Sequence, residues 1–162
     1  MTMLNDPEMK DVVLDFCRES EQIFEELQNY LEDFEDNPAE LELLENFGQA
    51  IDRVMGAAKS LGAAKVGSFC ELGKTIAYKA SQSQDENLIQ IVVAVLFDTV
   101  DILGALVKNI KEKQKESVEN ISLETFSTRL KWLAEKFQDI TRSSVAVNDQ
   151  KSIDELLKDL GL

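Results

Sequence analysis

Apolar residues return every three or four positions along most of the chain, the spacing of one face of an α-helix. Val12, Val13, Phe16, Ile23, Leu27, Tyr30, Leu31 and Phe34 carry this stripe over residues 8–35. Leu41, Leu44, Phe47, Ile51, Val54, Ala58 and Leu61 carry it through a second helix that stops at Gly62, a residue type suited to ending a helix. Val66, Phe69, Leu72, Ile76 and Ala77 mark a third over 63–81. A fourth, from about 86 to 115, is apolar on most sides between Ile89 and Leu106 and is expected to be the most buried. Phe126, Leu130, Leu133, Phe137 and Ile140 stripe a fifth, which Ser122-Leu-Glu-Thr125 can open. No stretch alternates with the period of a strand. The pattern predicts an all-α fold: an antiparallel four-helix bundle over 1–116, then an additional helix over 117–143.

The polar punctuation agrees. Pro7 and Pro38 read as first-turn prolines, with Asn37 as the cap before the second helix. Ser81 to Gln84 is a polar turn and Asp85 the cap of the fourth helix. Gly73 and Gly104 interrupt helices three and four and predict close helix packing. Trp132 suits either the core or its rim.

The end of the chain breaks the rhythm. Thr141 to Lys151 is small, polar and without period, which predicts a flexible linker over 144–151. Ser152 can then cap a last amphipathic segment, 152–162. Ile153, Leu156, Leu157 and Leu160 fall at i, i+3, i+4 and i+7, with Asp154, Glu155 and Asp159 on other faces and Leu162 at the end. A helix this short is unstable alone in water. Its stripe must be buried, either back on the bundle or in a groove of another protein. The segment is read as a docking tail whose contact residues are Ile153, Asp154, Glu155, Leu156, Leu157, Leu160 and Leu162.

Composition narrows the chemistry. The net charge is −14, which disfavours nucleic acid and anionic membranes and favours a partner with a basic patch. There is no histidine, so the commonest general base, metal ligand and phosphorelay acceptor is missing. Cys17 and Cys70 lie in apolar-patterned stretches without a CxxC and read as buried thiols in a reducing compartment. No signal-peptide pattern opens the chain. The densest apolar stretch, Ile89 to Phe97, is too short to span a bilayer. A cytoplasmic protein without membrane contact is expected, with no cofactor of its own. A homodimer whose tail packs on its neighbour fits the same pattern.

Ser152-Ile-Asp-Glu-Leu-Leu-Lys-Asp-Leu-Gly-Leu162 resembles the C-terminal peptide of the chemotaxis phosphatase CheZ family. In that family the peptide tethers the enzyme to CheY, so the resemblance implies a CheY-like response regulator as partner. Phe137-Gln138-Asp139-Ile140-Thr141 is similar to the catalytic helix of the same family and makes Gln138 and Asp139 candidate catalytic residues. There a Gln follows the Asp by four positions; here Ser143 stands in that place.

The first 115 residues resemble a histidine phosphotransfer (Hpt) domain. The cues are the Phe16–Leu27 helix, Phe47, and Gly56-Ala-Ala-Lys-Ser-Leu-Gly62. Counting back from Leu61-Gly62 puts Asp52 where that family carries its histidine and Met55 at its lysine; counting forward from Phe47 puts Ile51 there. Neither residue can become a phosphohistidine. On the same helix Glu45, Gln49 and Asp52 fall at i, i+4 and i+7. An acid and an amide so spaced can align a water for attack on an aspartyl phosphate, helped by the Mg²⁺ that a regulator itself carries. The functions implied are an auxiliary phosphatase for a CheY-like regulator or a non-catalytic Hpt-like adaptor that binds one.

Overall fold

The computed structural model describes residues 2–118, 121–143 and 153–162, and for 138–143, 153 and 154 the backbone alone. All the regular structure described is helical: a 3-10 turn at Pro7–Met9, then α1 (Lys10–Asp36), α2 (Glu42–Leu61), α3 (Ala64–Ser81), α4 (Glu86–Lys113), α5 (Glu124–Ser143) and α6 (Ile153–Asp159).

The ends follow from backbone groups that need partners. Asp6 accepts from the Glu8 amide at 3.0 Å, and Pro7 opens the turn that runs into α1. Asp85 accepts from the amides of Asn87 (3.1 Å) and Leu88 (3.2 Å), as its place before α4 predicted. Asn37 differs from expectation. Its amide bonds the Asp33 carbonyl at 3.0 Å, so it closes α1 instead of opening α2. Residues 38–41 are spent in turns, and α2 begins at Glu42. The start of α3 has no cap of its own. Glu116, fifty residues later, supplies one by accepting from the Val66 amide at 2.8 Å.

Helix α1 packs on α2 and α4, and α3 packs on the same two helices. Helix α5 lies on α4, and α6 lies on α3 and α5. Phe34, Phe47, Phe69, Leu27, Ile51, Leu72, Ile76, Leu96 and Leu103 are among the fully buried side chains. The Phe69 and Phe126 rings meet 6.0 Å apart and join α5 to this core. Gly73 sits where α3 crosses α2: a Cβ there would stand 2.9 Å from Ile51 Cδ1 and 3.3 Å from Thr99 Cγ2. That glycine is a packing device. Gly104 is not, because a Cβ there would meet nothing within 4 Å.

Both cysteines are buried. The Cys17 thiol donates to the Val107 carbonyl at 3.8 Å. Burial, with Glu21 nearby, pushes its pKa up to about 11, and burial pushes Cys70 up as well.

Helix α4 is more apolar than its densest short stretch suggested. By length and composition it could cross a membrane, with a mean hydropathy of 2.0 over its best window. Asp98 and Asp101 interrupt the run, and Ile102, Leu103, Leu106 and Val107 resume it. In this fold those side chains serve the core against α1, α3 and α5.

Candidate functional site

Three places carry the residues singled out from the sequence: the terminal helix, the outer face of α2 and the end of α5.

The terminal Leu-Gly-Leu is a helix stop. Gly161 has φ +74°, a conformation that costs a Cβ-bearing residue but not glycine. The Gly161 amide bonds the Lys158 carbonyl at 3.0 Å, and the Leu162 amide bonds the Leu157 carbonyl at 2.9 Å. This paired arrangement is the Schellman motif, which also brings the residue after the glycine towards the last turn. Leu162 is half-buried beside the core. The motif that resembles a docking peptide is therefore also a self-contained helix end.

The stripe is covered in this structure. Leu156 is 0 % exposed and Leu157 4 % exposed, against α3 and α5. Leu160 and Leu162 are half-buried, while Glu155, Lys158 and Asp159 face outward. Of the two burials the sequence allowed, the chain by itself adopts the fold-back. Burying the two leucines contributes roughly 3–6 kcal/mol gross. The cost of ordering so short a helix offsets much of that gain, so the closed tail is only modestly stable. The side chains of Ile153 and Asp154, the Ser152 cap and the linker over 144–151 lie outside the described residues.

On α2 the polar candidates point away from the core. Glu45 and Gln49 are exposed, one turn apart, and among the described residues their side chains make no hydrogen bond. Asp52 is half-exposed and engaged: Lys74 Nζ of α3 donates to its Oδ1 at 2.8 Å. Of the two residues that the Hpt-like counts bring to the histidine position, Ile51 is fully buried and Asp52 faces out. The next residue, Arg53, places its Nη2 3.0 Å from both carboxylate oxygens of Glu26, which also accepts from Tyr30 Oη at 3.1 Å. This hydrogen bond to Glu26, first, and partial burial raise the Tyr30 pKa. A groove of about 240 Å³ runs beside these groups, with Phe16, Ile23, Val54 and Ala57 as its apolar lining.

Lys74 was invisible as a site residue in the sequence. The signal that could have found it is its neighbour: Gly73 marks where α3 comes close enough for Lys74 to reach α2. Lys59 with Glu71 (3.8 Å) is the next pair along the same seam.

Gln138 and Asp139 lie on the last turns of α5, just past the buried Phe137, and their side chains are outside the described ones. Lys79 Nζ stands 5.8 Å from the Phe137 ring, so α3 also borders this end of α5. Trp132 lies at the rim, 36 % exposed, with Lys136 Nζ 5.4 Å from its ring. The structure thus brings Glu45, Gln49 and Asp52 to one face and leaves Gln138 and Asp139 on a different helix. Among the described residues no group of three or more acidic or thiol side chains could hold a metal ion.

What the α2 face can do follows from its groups. An exposed amide donates to and accepts from one water at once, and a carboxylate a turn away can take up a proton or orient a cation. Neither group is a strong nucleophile, so the face suits positioning more than covalent catalysis. No protein-family model, no curated protein and no solved structure matches this chain.

Proposed function

We propose that this chain is an auxiliary phosphatase for the aspartyl phosphate of a CheY-like response regulator, built on an antiparallel four-helix bundle of the Hpt-like or CheZ-like kind. The tail recruits the regulator, and Gln49 with Glu45 aligns the attacking water. The water oxygen bonds to phosphorus in line as the bond to the regulator's aspartate breaks, giving inorganic phosphate and a free carboxylate; the Mg²⁺ that such a regulator carries would screen the charge. The observation that carries this reading is the exposed Glu45–Gln49 pair, one turn apart and uncommitted, in a chain that ends on a docking-peptide pattern. Glu32, Asp33, Glu35, Asp36, Glu40 and Glu42 crowd the α1–α2 turn, all exposed, and would speed encounter with a basic surface.

The bundle geometry is supported by cross-helix neighbours. Asp52 with Lys74 and Lys59 with Glu71 set α2 and α3 running oppositely, and α1 to α4 close a ring of contacts. Gln138 and Asp139 remain the second candidate surface.

The test is phosphate release from a phosphorylated CheY-like regulator at substoichiometric amounts of the chain. Acceleration that Gln49→Ala removes supports α2. Acceleration that only Gln138→Ala with Asp139→Ala removes moves the chemistry to α5.

One observation favours the alternative, a non-catalytic Hpt-like adaptor that binds or sequesters the regulator. Asp52, the residue on the outer face at the histidine position, is tied to Lys74. The adaptor reading expects tail-dependent binding with no change in phosphate release.

A further inference from the structure

We infer that α6 is a latch for which the chain's own α3–α5 groove and a response regulator compete. The inference rests on the proposed function, in which the regulator takes the same stripe. A helix can bury one stripe against one surface at a time. Leu156 and Leu157 are already buried on α3 and α5, so a regulator that uses them binds only after α6 leaves.

The structure suits such an exchange in four ways. The helix carries its own stop: the Leu160 amide bonds Leu156, Gly161 bonds Lys158 and Leu162 bonds Leu157. Among the described residues no backbone hydrogen bond ties α6 to another helix, so its departure breaks no backbone ladder. Residues 144–152 separate α5 from α6, a span of about 30 Å when fully extended, so a released tail stays attached and can return. Leu160 and Leu162 stay half-exposed in the closed form and give an incoming surface its first contact.

The test uses the full chain carrying Lys158→Cys with a nitroxide on that thiol. Lys158 faces outward, and Cys17 and Cys70 are buried with raised pKa values, so they resist labelling. In the free chain the label should broaden amide signals of α3 and α5 beside α6. Saturation with a purified, unlabelled CheY-like receiver domain should restore them. Closure also weakens the chain: a synthetic 152–162 peptide should bind that receiver about tenfold more tightly than the full chain. A free chain without broadening overturns the latch and leaves the proposed function standing. Broadening that persists at saturation, or equal affinities for peptide and chain, overturns the competition alone. If neither peptide nor chain binds any receiver, the proposed function and the competition fall together.

Discussion

Helices α4 and α6 are both apolar-striped, but they are held in different ways. Helix α4 has 28 residues, three helical neighbours and a capping Asp85. Its stripe is shared among α1, α3 and α5, so no single contact decides its place. Helix α6 has 7 residues, and among its described side chains only Leu156 and Leu157 are buried. The same local pattern makes a core element when long and many-sided, and an exchangeable one when short and one-sided. Length and the number of partners decide between them, because a short helix has little stability of its own.

The contrast breaks first in the core. Leu103→Ala in α4, at a fully buried position, should cost about 2–5 kcal/mol in chemical denaturation. A loss under about 1 kcal/mol would mean α4 is not the central element. Gly73→Ala should cost about 1–2 kcal/mol, since its new methyl meets Ile51 and Thr99 and outweighs the gain in helix propensity. Deleting 152–162 should lower the melting temperature by only about 4 °C, the amount that a tenfold-favoured closed tail contributes in a chain of this size. A fall like that of Leu103→Ala would make α6 part of the core. Gly104→Ala should raise stability by about 0.5–1 kcal/mol, because the space beside it is open.

How far the sequence could be read follows the same divide. Helices α1 to α5 were legible because each repeats a long apolar stripe, and Asp85 because its side chain bonds amides two and three residues ahead. Asn37 misled because Asn also suits the turn after a helix, and residues 38–41 take turn conformations before α2 starts. The α3 cap was illegible, since Glu116 reaches Val66 from fifty residues away. Gly73 and Gly104 look alike in sequence, and only the neighbouring helix distinguishes them. In the candidate site, the outward face of Glu45, Gln49 and Asp52 was legible from helical phase. The Asp52–Lys74 pair and the fold-back of Leu156 and Leu157 were not, because both depend on which helices meet.

The buried thiols add a pH arm. Burial first and Glu21 second push the Cys17 thiol from its ordinary value up to about 11. The unfolded chain ionises this thiol at lower pH than the folded chain does. Its contribution is therefore complete below about pH 9 and is lost as the pH climbs to about 11. Thermal unfolding should show that decline, and Cys17→Ala should make it shallower, with the buried Cys70 carrying the rest.

The most direct test of the account is a calorimetric titration of a CheY-like regulator into the full chain and into Leu156→Asp with Leu157→Asp. The account expects saturable one-site binding to the full chain and none to the double variant, with helix content retained in both. Equal binding by the two chains, or none by the full chain with every regulator of its source organism, would contradict it.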